Sequence, residues 1–175
     1  MSKGNNLILD HDAVIKKLER ISHQIIEDNY NEDLLTLVGV SKKGYQLAQF
    51  FQKNLSDKFK IDLIKIELNK NEPTKDNITI SPTTTLQNKK VILIDDVLNT
   101  GKTLMYAAAF LTNMNISSMK TIVLVDRRHR SFPIRADWVG LTLSTTLQEH
   151  ISVEIKKNKY EVYLNWSKKS TTPLP

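Results

Sequence analysis

No cysteine occurs among the 175 residues, so disulfides and thiolate chemistry are both excluded. No apolar run approaches the ~20 residues needed to span a bilayer. The polar start Met1-Ser2-Lys3-Gly4-Asn5-Asn6 has no signal-peptide h-region, so no membrane partner and a cytoplasmic location are expected. Glycine patterning excludes two nucleotide motifs. No glycine sits five positions before Gly101, so Gly101-Lys102-Thr103 is not the end of a Walker A loop, and a GxGxxG fingerprint is missing too. No nucleophile has a base at motif spacing, which argues against covalent catalysis. Internal repeats, linkers and a domain boundary are likewise absent, as suits one domain of this length with one substantial core.

Hydrophobic residues make up 40% and charged residues 25%, the balance of an ordinary globular chain. Net charge is +6, which favours anionic partners, either phosphorylated metabolites or nucleic acid. A lysine-rich solubilising surface is the simpler account of the charge taken alone.

The chain alternates between two periodicities. Leu7 to Leu9 reads as a short strand before Asp10, a good N-cap. Val14, Leu18, Ile21 and Ile25 then recur at helical spacing, predicting a helix from Asp12 to Asp28. His11 and His23 read as surface or packing residues. Leu34 to Val40 is a buried strand running into Ser41-Lys42-Lys43-Gly44, and a helix carrying Leu47, Ala48, Phe51 and Leu55 follows. Ile61 to Leu68 is the next strand. Residues 69–88 form a long polar segment, expected as a lid, with a small hairpin around Ile78 to Ile80.

Val91 to Ile94 is a strand that the carboxylates Asp95 and Asp96 are expected to end, and a helix is predicted from Thr103 to Asn113. Thr121 to Val125 is a further buried strand, followed by Asp126-Arg127-Arg128-His129-Arg130. Trp138 to Leu141 is a short strand. Ile151 to Ile155 and Tyr160 to Leu164 form a late antiparallel pair, and the tail from Ser167 is expected to be loose.

This alternation predicts an α/β fold, with a central parallel sheet, right-handed crossovers and helices on both faces. Ligands in such sheets sit beyond the strand carboxyl ends. The charged turns 41–44, 95–103 and 126–130 all fall there. Adjacent strand carboxylates point to different sides, so Asp95 and Asp96 are expected to do different jobs, one at sugar hydroxyls and the other near positive charge or a metal-bound ligand. The stretch from Leu98 to Thr103 can offer N–H groups and hydroxyls to a phosphate at the helix start.

Val91 to Thr103, an apolar strand with two acids and a Thr-Gly-x-Thr turn, resembles the phosphoribosyl pyrophosphate signature of type I phosphoribosyltransferases. The likeness extends to about Ile155 and is strongest to one branch, PyrR, whose members are pyrimidine-operon attenuators and uracil phosphoribosyltransferases. Ile8-Leu9-Asp10, Leu37 to Gly44 and Leu124 to Asp137 carry it.

The resemblance implies one domain over 1–166, with a lid at about 69–88, a hood from 1–9 and about 136–165, and a tail over 167–175. It implies that Asp95-Asp96-Val97-Leu98-Asn99-Thr100-Gly101-Lys102-Thr103 binds phosphoribosyl pyrophosphate. Ser41, Lys42, Lys43 and Gly44 would hold the pyrophosphate, in a turn that is often strained or cis in this family. Arg135, Asp137, Trp138 and Val139 would hold the base, with Trp138 stacking on it unless it is a core aromatic. Asp95, Asp96 and the lid residue Lys70 would be the catalytic set. Mg2+ would be held mostly indirectly at Asp95 and Asp96, through ligand and water.

The sequence departs from the family at three places. Asn69-Lys70-Asn71-Glu72 replaces a Tyr-Arg-Asp-Asp-like lid run, Lys43 stands for an arginine, and Asn99 and Lys102 stand where Tyr and Arg are common. The expected reaction is phosphoribosyl transfer to a nucleobase, uracil first. A nucleotide-sensing RNA-binding regulator and a purine enzyme are the alternatives. A homodimer or higher homo-oligomer is expected.

Overall fold

The computed structural model describes residues 6–69, 78–146 and 148–166. A six-stranded sheet forms the body. Its strands are β2 (Leu34–Val40), β3 (Lys60–Glu67), β4 (Thr79–Ser81), β5 (Lys90–Leu98), β6 (Ser118–Asp126) and β7 (Trp138–Thr142), in the order β4-β3-β2-β5-β6-β7. All neighbours are parallel except β4, which pairs antiparallel with β3. A smaller antiparallel sheet of β1 (Asn6–Leu9), β9 (Lys159–Trp166) and β8 (Glu149–Lys156) forms the hood, in the order β1-β9-β8.

Three helices complete the fold: α1 (His11–Asp28), α2 (Ser41–Leu55) and α3 (Lys102–Thr112). The Asp10 carboxylate caps α1 by accepting from Ala13 N at 2.9 Å, and Val14, Leu18, Ile21 and Ile25 form its buried stripe. β2, β5 and β6 are buried almost throughout, as expected of strands covered on both faces. One core lies under α1 and α2 and continues into the hood through Ile151, Val153, Tyr160 and Val162. The other lies under α3, around Leu98, Leu104, Ala107 and Leu111.

The chain leaves β2 through α2 for β3 on one side, and leaves β5 through α3 for β6 on the other. The direction of winding therefore reverses between β2 and β5. The crevice beyond the carboxyl ends of those two strands is where such a sheet opens to a ligand.

Several expectations need correction. The acid pair does not end β5: the strand runs on to Leu98, because Asp95 and Val97 still pair with Val123 and Val125 of β6. Helix α2 begins at Ser41 itself. Of the segment expected in the hood from about 136, β8 and β9 belong to the smaller sheet from Glu149 on, while β7 hydrogen-bonds to β6 as an edge of the main sheet. The expected pairing near Ile78 to Ile80 is present as β4 on β3. The late hairpin closes through Lys157 and Asn158, both at positive φ (48° and 63°), the geometry that suits the twist of a two-residue turn. Residues 70–77 of the expected lid, Lys70 among them, and the tail from Ser167 lie outside the described residues.

Candidate active site

The cleft is built around the end of β5. Asp95 and Asp96 are 3% and 6% exposed, unusually buried for carboxylates. Asp95 Oδ1 accepts from the Asp96 backbone N–H at 2.9 Å, which fixes one carboxylate against the strand. Asp96 Oδ2 lies 3.6 Å from Lys43 Nζ. Asp95 also borders a small recess of about 50 Å3 enclosed by Asn99 to Leu104. The two acids thus face different neighbours, one toward the loop before α3 and the other toward α2.

That loop is shaped for an anion. Gly101 sits at φ 84°, a conformation glycine adopts without strain, and a Cβ there would also lie 2.8 Å from Ile134 Cγ2. Lys102 N donates to Thr100 Oγ1 at 3.3 Å, and Met105 N closes the first helical turn on the Gly101 carbonyl at 2.9 Å. From outside, Ser131 N and Phe132 N both donate to the Thr100 carbonyl, at 2.9 and 3.1 Å. The segment after β6 therefore braces the loop. The N-terminus of α3 opens onto it, where the first-turn N–H groups and the helix dipole favour negative charge.

The turn after β2 is brought close by two glycines. A Cβ on Gly39 would lie 2.3 Å from Tyr45 Cα, and one on Gly44 would lie 2.4 Å from the Ile94 carbonyl oxygen. Gly44 therefore serves the tight packing of α2 on β5 rather than a turn. Ser41 carries the strain at this junction, with φ 52°, and no cis peptide occurs in 41–44. Lys42 is exposed, while Lys43 leans over Asp96.

The opposite wall is one that the sequence reading missed. His150, Ile151 and Ser152 of β8 line the same cavity as Lys43, Asp95 and Asp96, a space of about 330 Å3. Arg127 lines it as well. It is 5% exposed, and its guanidinium donates to Thr145 Oγ1 at 2.9 Å, the Thr146 carbonyl at 3.3 Å and the Glu149 carbonyl at 2.5 Å. Burial lowers the Arg127 pKa from its ordinary value, and the nearby Glu149 charge partly offsets this.

None of the four residues expected at the base lines this cleft. Trp138 is 6% exposed and belongs to the core under α1, with Lys120 Nζ 4.8 Å from its ring centroid. The Asp137 carboxylate accepts from Thr121 N and Thr121 Oγ1, at 2.7 and 3.0 Å. The Val139 carbonyl accepts from Arg20 at 2.7 Å. Arg135 is exposed. Register accounts for this placement: β7 starts level with Ile122 of β6, so these residues precede the carboxyl end of the sheet. In the charged turn 126–130, Arg130 is paired with Asp126 and Arg127 is bonded to the segment leading into β8.

A match to the phosphoribosyl transferase domain spans residues 4–158. This chain is a type I phosphoribosyltransferase of the PyrR family. The Bifunctional protein PyrR of Haemophilus influenzae is 34% identical over 172 residues, covering 89% of this chain and 96% of that protein. That of Clostridium kluyveri is 36% identical over 170 residues, covering 90% and 96%. The solved hypoxanthine phosphoribosyltransferase of Trypanosoma cruzi superposes with TM-score 0.78 at 16% identity, covering 96% of this chain and 100% of that one, and so shares the fold.

The family implies magnesium. Among the described residues no group of three or more His, Cys, Asp or Glu could hold a metal alone. Two buried carboxylates beside an open cleft suit a cation that takes most of its ligands from substrate and water. No helix among the described residues is long and apolar enough to cross a membrane.

Proposed function

We propose that the cleft transfers the phosphoribosyl group of phosphoribosyl pyrophosphate to uracil, giving uridine monophosphate and pyrophosphate. The observation that carries this reading is a juxtaposition. The acid pair and phosphate loop of β5 face the hood strand β8 across one cavity. The likeness to PyrR proteins over nearly the whole chain supports uracil as the base.

In this reading the 5-phosphate sits on Asn99 to Thr103 at the α3 N-terminus. The ribose hydroxyls lie at Asp95 and Asp96, whose negative charge also stabilises the cation developing at C1 as the bond to pyrophosphate breaks. Ser41 to Gly44 receive the pyrophosphate, with Lys42 and Lys43 offsetting its charge. Lysine supplies charge without the paired donors of arginine. Lys70, outside the described residues, is assigned to the catalytic set with Asp95 and Asp96, its charge offsetting that of the leaving group. The base rests against His150 to Ser152, where exposed strand edges offer both donors and acceptors. Bound magnesium would neutralise pyrophosphate charge and orient the ribose hydroxyls. The chain's part is to align the base nitrogen with C1 and keep water out.

Pyrophosphate release with magnesium, phosphoribosyl pyrophosphate and a panel of bases tests the reading. Turnover with uracil that chelator abolishes is expected, and no turnover with any base would sink it. Preference for hypoxanthine or guanine would make this a purine enzyme instead. A second reading is that the protein also binds RNA. It is favoured by the net charge of +6, by the exposed Lys42, Arg128 and Arg135, and by the relatives' name "bifunctional". A structured leader RNA should then bind more tightly than random RNA at ~0.15 M salt.

Assembly as a homodimer is also proposed. From Thr103 to Met119 the chain has no charged residue, and Met105 and Tyr106 on α3 are exposed. A second copy of this basic chain meets least repulsion there. Sedimentation at several concentrations checks it, and a monomer throughout would refute it.

A further inference from the structure

The strap joining β7 to β8, residues 143–148, carries the base-side wall, yet no described residue from Leu141 to His150 is buried. Ile151 is the first side chain downstream to enter the core. Apart from Leu143, which is half-buried and packs against the core under α1 and α2, the described strap residues are held by polar bonds. Most of them converge on the turn after β6. Leu143 N donates to the Asp126 carbonyl at 2.9 Å, the His129 ring meets the Thr145 carbonyl, and the Arg127 guanidinium reaches Thr145, Thr146 and Glu149. Glu149 Oε2 closes the strap on itself by accepting from Thr146 N at 2.6 Å.

Arg127 joins both walls. Its backbone N–H donates to the Leu98 carbonyl at 3.0 Å, at the end of the strand that bears the acid pair. Its side chain holds the strap. A buried cation is costly unless its donors are met, and here Nε and Nη2 are met by acceptors of the strap and of Glu149. The planar fork makes the arrangement directional: moving the strap would break several bonds together.

We propose that Arg127 is a positioning residue for the nucleobase. It sets the distance between His150–Ser152 and the phosphate loop, and so holds the bound base in line with C1 of the sugar. The inference rests on the reading of the cleft as a phosphoribosyl transfer site.

The test uses the full chain as wild type, Arg127→Lys, Arg127→Gln and Thr145→Val. Three quantities are measured: steady-state kinetics with uracil, calorimetric binding of phosphoribosyl pyrophosphate with magnesium but no base, and backbone hydrogen exchange of the ligand-free protein. For Arg127→Gln the KM for uracil should rise roughly 10- to 100-fold, while phosphoribosyl pyrophosphate affinity stays within about twofold. Arg127→Lys should recover part of the loss, and Thr145→Val should reproduce part of it. Exchange should quicken across residues 148–153 and stay unchanged across 91–94. Equal losses of base and phosphoribosyl pyrophosphate binding would overturn the proposal, as would unchanged KM and exchange. Should Arg127→Gln fail to fold, the other two variants decide by the same criteria. A wild type that binds phosphoribosyl pyrophosphate but transfers to no base would defeat the reading of the cleft, and hydrogen exchange would still judge the strap.

Discussion

The two walls of the cleft are made in opposite ways. The phosphate wall is one continuous stretch in which β5, the loop and the start of α3 follow one another, with Asp95, Asp96, Leu98 and Gly101 all buried. The wall proposed to hold the base arrives from far downstream, on strand β8, reached through a strap with no fully buried residue among those described. Packing makes the first wall rigid, and polar bonds orient the second. Binding of charge needs fixed dipoles, which a packed strand end supplies. Choice of base needs only that a strand edge be set at the right distance, and the bonds that set it can change without disturbing the core.

The sharpest way to break this comparison is at the acid pair. Asp95→Asn and Asp96→Asn should each lower kcat/KM for pyrophosphate release by roughly 10²- to 10³-fold, the range seen when one preorganised electrostatic group is lost. Near wild-type turnover in either variant would remove the phosphate wall from the chemistry. Rigidity of that wall is tested next. Gly44→Ala drives a methyl group against the Ile94 carbonyl, at a contact of 2.4 Å, and should cost about 1–3 kcal/mol in urea denaturation. An unchanged midpoint would mean that α2 is free to shift from β5.

The base wall predicts smaller, selective effects. His150→Ala should raise the KM for uracil about 3- to 10-fold, the worth of roughly one net hydrogen bond, and leave phosphoribosyl pyrophosphate binding alone. Loss of both together would show that the walls are not separate. The smallest kinetic effect belongs to Trp138→Phe. It should cost about 1–2 kcal/mol of stability through lost packing, with base kinetics unchanged. A raised KM there would restore Trp138 to the base.

Legibility in the sequence follows the same division. The strand–loop–helix of the phosphate wall was readable because its meaning is local: apolar run, acids, Thr-Gly turn and helix lie in chain order. The helix cap at Asp10 and the buried stripe of α1 were readable for the same reason. The end of β5 was misjudged because paired charges read as a strand stop, whereas the ladder to β6 continues to carry Asp95 and Val97 in strand geometry. Gly44 was read as a turn residue, although its cause is a neighbouring strand that no local pattern reveals. The base wall was illegible because sheet membership is non-local. Nothing near Trp138 says that β7 extends the main sheet, and nothing near His150 says that β8 folds back over β5. Nothing local sets Arg127 apart from the other arginines of the turn 126–130, since its burial depends on a strap that lies downstream.

The most direct test of the two-wall account is a crystal structure of the full chain with uridine monophosphate bound. The phosphate should lie on Asn99 to Thr103, the ribose hydroxyls at Asp95 and Asp96, and the uracil ring against His150 to Ser152. A ring seated at Trp138 and Val139, or a phosphate away from the α3 N-terminus, would contradict it.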